Sequence, residues 1–463
     1  MQNDKYSNPL SERYASAEML KIFSEQHRIG LWRRLWLALA ECQKELGLPI
    51  TEEQLAEIRA NLDNIDFEAA AAREAEVRHD VMAHIYTLGL ACPAAKPIIH
   101  LGATSCFVTD NSELIQMHEG LTILSARLKA VIKNLAALAL KYKDLPALGL
   151  THYQAAQLTT VGKRFTLYIQ DFMLDLENLA SVLEGYRLRG AKGTTGTQAS
   201  FLELFSGDYE KVKALDKAVA KKMGFPRVFD VSGQTYTRKF DYFVLSALSG
   251  IAQSASKFAT DLRLLQSRKE MEEPFGKNQV GSSAMAYKRN PMMSERVCSL
   301  SRYLMSLPVN AAVTEATQWF ERTLDDSANR RIVNSQAFLT ADAILIILEK
   351  ITAGLNVYEK VIEKYINEEL PFMASENLLM EAVKAGGDRQ TLHEVIRTHA
   401  MAAALNVRGG GANDFIERLL ADPAFAPYAD SAAAALNPKN YIGCAAMQTV
   451  EFIEKVQKRL AYL

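Results

Sequence analysis

The 463-residue chain has few cysteines and no pattern among them: Cys42, Cys92, Cys106, Cys298 and Cys444 include no CxxC pair and no even spacing. That argues against a disulfide framework and a zinc site, and it fits a reducing compartment. Charge of one sign is not in excess either, with 53 basic and 54 acidic residues and a formal charge of -1. No general field therefore draws the chain to nucleic acid or to an anionic membrane, and any anion must be held by a local cluster. No run of about 18 apolar residues occurs, and the opening MQNDKYSNPLSERY has no apolar signal-peptide segment. The expectation is a soluble, cytoplasmic protein with no nucleic-acid or membrane partner.

Proline is missing from three long stretches, Ala147 to Phe225, Arg227 to Glu273 and Val309 to Leu370. An interior proline breaks a helix, so these stretches permit long ones. Phe165, Tyr168, Ile169, Phe172, Met173, Leu176, Leu179, Ala180, Leu183 and Tyr186 recur at steps of three and one, the stripe of an amphipathic helix. The stretches around Tyr242 to Met271, Pro291 to Leu307 and Ser327 to Leu355 read alike, and alternating β-branched runs are scarce. The fold class predicted is mainly α. Three helical domains are expected: 1–104, a long-helix bundle at 105–357 that associates with other subunits, and a C-terminal region at 358–463 with shorter helices.

The stretch GSSAMAYKRNPMMSER, Gly281 to Arg296, concentrates small residues, a lysine and an Asn-Pro step. Asn290 and Pro291 have the form of an N-cap and first helical residue, which aims backbone amides at the loop and would welcome a carboxylate. Gly281, Ser282 and Ser283 make a small segment able to close on a ligand, and Lys288 adds a full charge. Removing a proton from a carbon beside a carboxylate builds negative charge that such donors stabilise. A serine hydroxyl in those surroundings becomes a usable base. Taken alone, the same residues also describe a flexible connection with a good cap.

The string GSSAMAYKRNP resembles the GSSxMPxKxNP motif of the fumarase/aspartase superfamily. The resemblance runs along essentially the whole chain, through SERYAS at Ser11, RHDVMAH at Arg78, HLGATS at His100, THYQAAQLTTVGKR at Thr151, SGQTYTRKFD at Ser232 and WFERTLDDSANRR at Trp319. It is strongest to the branch that releases fumarate from succinylated purine nucleotides.

That resemblance implies Ser282 as general base and His152, which we place on a helix, as general acid. It implies Lys288 and Asn290 as holders of the carboxylate dianion and His79 as a substrate contact that tunes protonation. Arg13, Tyr14, Arg78, His79, Asp80, Thr104, Ser105, Thr151, Gln234, Arg296, Arg322, Ser327 and Arg331 fall on substrate-binding positions. It further implies no cofactor and a homotetramer whose sites are shared between chains. The pair His79 and His84 is not HExxH, so no metal is expected. RGAKGTTGTQAS (Arg189 to Ser200) lacks GxxxxGK[ST] and reads either as a carboxylate-contacting turn or as an ordinary loop.

Ala286 and Ala155 stand where the superfamily motif and its nearest branch usually carry proline, which loosens both loops. Two other readings remain open on the residues: a sibling lyase acting on argininosuccinate or aspartate, and a non-catalytic helical scaffold. The arginines at 13, 322 and 331 favour a phosphorylated substrate. Retention of Ser282, Lys288, Asn290 and His152 argues against a scaffold, because packing alone does not require those four polar groups.

Overall fold

The computed structural model describes residues 4–428 and 436–463, and helices dominate it. Its longest are Glu25–Glu45, Ser105–Lys141, Val161–Glu184, Lys239–Ser267, Asp326–Gly354 and Arg389–Arg408. The expected stripe is present. Phe165, Ile169, Phe172, Leu176 and Leu179 are buried on Val161–Glu184, each side chain contributing roughly 1.5 to 3 kcal/mol over leaving it exposed. The helix stops at Glu184, so Tyr186 lies beyond it in the following loop. On the same helix Leu167 and Leu174, two turns apart, remain exposed.

The chain divides into two compact units. The first comprises Met1–Leu128, Asp175–Ser256 and Val297–Ile346. One of its cores is built around Trp32, Trp36, Leu88, Phe107 and Phe201. The second comprises Lys129–Leu174, Lys257–Arg296 and Ile347–Leu463. Leu378, Leu392, Ile396, Phe415 and Leu419 form a core within it.

Two departures from the sequence reading matter for function. Pro146–Thr151 and Gln154–Thr160 pair as an antiparallel β-hairpin, so His152 sits on a two-residue hairpin turn and not on a helix. The lack of proline there permitted a helix without requiring one. A bulge at Leu148/Leu150 brings Gly149 so near Gln157 O that a Cβ would lie 2.5 Å from it, which explains a glycine inside a strand. The other departure is Pro371, inside the helix Glu359–Met373. It falls in the last turn, just before the chain re-enters helix at Ser375–Lys384, so the break it causes is a short corner.

Candidate active site

A cleft of about 1400 Å³ opens in the first unit. Its walls begin at a corner between two helices. Arg78 ends Phe67–Val77 with φ 53°, a left-handed C-cap, and His79 is the N-cap of Asp80–Ala91. His79 Nδ1 accepts the Met82 N–H at 3.4 Å, so the neutral ring carries its proton on Nε2, which lies 3.4 Å from Ser105 Oγ. Asp80 accepts from the Val81 amide at 2.8 Å and from Arg331 at 3.0 Å. Ser327 and Arg331 are one turn apart on Asp326–Gly354, hence on one face of that helix.

Gln234 is oriented from two sides. Its backbone N–H donates to Glu321 O at 3.0 Å, and its Oε1 accepts from Arg322 at 2.9 Å. The carboxamide Nε2 is left to donate elsewhere. Arg322 also touches Cys106 Sγ. Burial, then Asp110, pushes the Cys106 thiol up to about 12, so it stays protonated.

The cleft is also lined by a largely buried charged layer that the sequence reading missed. Arg238 donates to both oxygens of Asp110 at 3.2 Å and to Asp326 at 2.8 Å. Arg330 reaches Asp241 at 2.6 Å, Tyr236 and Glu113. Burial and the neighbouring Arg330 oppose the charge on Arg238, but Asp110, Tyr236 and Asp241 outweigh them and hold its pKa above the ordinary value. Part of the signal was present in SGQTYTRKFD and WFERTLDDSANRR, which hold Tyr236, Arg238, Asp241, Asp326 and Arg330 beside binding positions already named, whereas Asp110 and Glu113 lie in neither. Arg330 next to Arg331 gave no clue that, of two arginines lining the cleft, the first is buried and the second exposed.

The cleft gathers Arg78, His79, Asp80, Thr104, Ser105, Gln234, Arg322, Ser327 and Arg331. Thr194 and Thr195, from the RGAKGTTGTQAS segment, also line it. Thr151, His152, Ser282, Lys288, Asn290 and Arg296 do not line it, and all belong to the second unit. Arg13 and Tyr14, on the short helix Leu10–Tyr14 of the first unit, do not line it either. Among the described residues no group of three or more His, Cys, Asp or Glu could hold a metal ion.

His152 and its neighbour Tyr153 both have positive φ, 53° and 59°. A two-residue turn of this kind favours Asn-Gly, and bulky residues adopt it with strain. The turn thus presents an exposed imidazole at the tip of the hairpin.

In the Gly281–Asn290 loop, the Ser282 hydroxyl oxygen accepts the N–H groups of Ala284 at 3.3 Å and Met285 at 3.1 Å. Lys288 is exposed, with no ion pair among the described residues. Asn290 is not the expected N-cap. Its side chain donates to Gly281 O at 2.8 Å, tying the two ends of the loop together. The following helix, Met292–Ser306, has its first amides taken by Glu273, which accepts from Met293 N and Ser294 N, both at 2.9 Å. The helix start expected to receive a substrate carboxylate already holds one of the protein's own.

Residues 2–305 match the family described as Lyase, and residues 371–452 match the one described as adenylosuccinate lyase C-terminus. Adenylosuccinate lyase of Saccharomyces cerevisiae is 54% identical over 456 residues, 98% of this chain and 95% of that protein. The Schizosaccharomyces pombe enzyme of the same name is 53% identical, covering 97% and 94%. The solved structure of 3-carboxy-cis,cis-muconate lactonizing enzyme from Pseudomonas putida is similar with a TM-score of 0.85 at 22% identity, covering 98% of this chain and 100% of that chain. That likeness carries the fold alone. The chain belongs to the adenylosuccinate lyase family, within the fumarase/aspartase superfamily.

Proposed function

We propose that the protein releases fumarate from adenylosuccinate, leaving AMP, and from the succinyl-carboxamide ribotide SAICAR, leaving AICAR. The observation that carries this is the gathering of nine expected binding positions, three of them arginines, in one cleft of a chain matched along 98% of its length by an adenylosuccinate lyase. The cleft offers what a succinylated nucleotide needs. Arg322, Ser327 and Arg331 suit a phosphate, for which the planar guanidinium fork is well shaped. His79, Thr104, Ser105 and Gln234 present donors and acceptors to base and succinyl group.

Ser282 removes the proton from the carbon beside the succinyl carboxylate. The electron pair left behind spreads into that carboxylate, which Lys288 and Asn290 hold as a dianion. It then returns to form the double bond as the C–N bond breaks, and His152 delivers a proton to the departing nitrogen. Atoms balance without water or cofactor. The Ala284 and Met285 amides donate to Ser282 Oγ and favour its anion.

The binding cleft contains neither member of the acid–base pair, and Leu167 and Leu174 on one helix and Phe243 and Leu264 on another stay exposed. Both observations support a homotetramer with sites completed by more than one chain. Among the described residues no helix is long and apolar enough to cross a membrane, and a cytoplasmic location fits a purine-forming lyase.

The test is to incubate purified protein with adenylosuccinate and measure AMP and fumarate together. Equal yields are expected, and Ser282→Ala should lose at least about 100-fold in kcat. Fumarate from argininosuccinate but none from adenylosuccinate would assign the chain to a sibling activity.

A further inference from the structure

Glu273 has no role in the chemistry above, yet it is 1% exposed, and a buried carboxylate must be fully bonded to be tolerated. No lysine or arginine pairs with it among the described residues. Its partners are all at the start of Met292–Ser306: the Met293 amide at 2.9 Å, the Ser294 amide at 2.9 Å and the Ser294 hydroxyl at 2.8 Å. The backbone N–H of Glu273 donates to Gln266 Oε1 at 3.3 Å, and Gln266 Nε2 donates to Arg289 O at 3.1 Å. Arg289 precedes Asn290, whose side chain closes the loop on Gly281. The buried carboxylate is therefore bonded to the helix that follows the loop, and the backbone N–H of the same residue is bonded, through Gln266, to the loop's returning leg.

We propose that Glu273 is a positioning residue for the elimination: it clamps the first turn of Met292–Ser306 and so sets where the leg carrying Lys288 and Asn290 stands relative to Ser282. The proposal rests on the lyase reading of the same loop. The carboxylate suits the task because it presents only acceptors to three converging donors. A carboxamide of the same shape turns an N–H₂ toward one of them and loses that bond. A displacement of the loop by about 1 Å can lower turnover by about 100-fold without removing any reacting group.

The experiment compares full-length wild type, Glu273→Gln and Ser294→Ala on adenylosuccinate, with circular dichroism and thermal melting giving the folded fraction of each. Glu273→Gln should lose roughly 10- to 100-fold in kcat per folded protein while KM moves less than about threefold. Ser294→Ala, which removes one of the three bonds, should fall between it and wild type. A merely structural role lowers the folded fraction and leaves kcat per folded protein unchanged; that outcome, or an equal effect on KM, overturns the proposal. If Glu273→Gln does not fold, Ser294→Ala alone decides, and wild-type kcat in it refutes the clamp. A wild type that releases no fumarate refutes the lyase reading instead.

Discussion

Replacing Gly281 by alanine tests whether the loop is mobile along its whole length or pinned at its stem. A Cβ at Gly281 would stand 2.1 Å from Lys288 O, 3.1 Å from its carbonyl carbon and 3.2 Å from Arg289 Cα. Carbon does not approach a backbone oxygen closer than about 3 Å, so the two legs must part by about 1 Å. Backbone, not a flexible side-chain tip, is what has to move. The Asn290 bond to Gly281 O, 2.8 Å long, does not survive that shift, and its loss removes about 0.5 to 1.5 kcal/mol of loop closure. Lys288 and Asn290 move with the returning leg, and a misplacement of that size predicts a fall in kcat of about 100-fold. The assay is initial-rate fumarate release at saturating adenylosuccinate, normalised to folded protein by circular dichroism. Gly276→Ala serves as control, because its Cβ meets nothing nearer than 3.6 Å and should change kcat by less than about twofold. A folded Gly281→Ala protein with wild-type kcat would refute the pinned stem.

The buried charged layer of the cleft predicts that Arg238→Met destabilises the protein by about 3 to 5 kcal/mol, since it strands Asp110 and Asp326 without their cation; chemical denaturation measures this. Burial, then Arg33 and Arg28, lowers the His84 pKa from the ordinary 6.5 to about 4. The unfolded chain therefore takes up that proton first, and stability is lost as pH falls from 6.5 towards 4. His84→Leu should remove on the order of 2 kcal/mol of the stability difference between pH 7 and pH 5, read from urea midpoints at the two pH values. Tyr153→Gly should raise stability by roughly 0.5 to 1 kcal/mol in thermal melts by relieving the φ of 59° at an exposed turn position. A loss of stability there would contradict the strained-turn reading.

The helical framework was legible because periodicity and proline spacing are local and repeat many times. The stripe from Phe165 to Leu179 and the segments around Tyr242, Pro291 and Ser327 all reappear as helices with ends displaced by a few residues. The hairpin was illegible for the same reason in reverse. Two short strands of six and seven residues carry too few alternations to outweigh a proline-free background, and His-Tyr is a poor advertisement for a turn that usually takes Asn-Gly. Within the cleft, the i, i+4 spacing of Ser327 and Arg331 placed both on one face. What spacing could not supply was depth: Arg330 and Arg331 are neighbours, one 5% exposed and bonded inward, the other reaching Asp80 across the cleft.

The same limitation bears on what would stabilise Ser282 as the proposed base. Asn-Pro before a helix justified expecting free amides aimed at the loop, and with them about half a positive charge to share with a substrate carboxylate. Position 273 lies 17 residues before Asn290, and no local rule connects the two. Once Glu273 occupies that helix start, its full negative charge more than offsets the partial positive one. In the proposed mechanism the helix start is therefore not what would make Ser282 basic. In that mechanism the Ala284 and Met285 amides, which donate to Ser282 Oγ, supply a favourable field from within the loop. These depend on the backbone conformation between Gly281 and Asn290. On this proposal turnover depends on the conformation of the stem and not on the charge of the helix behind it, which is why a methyl group at Gly281 should matter more than its chemistry suggests.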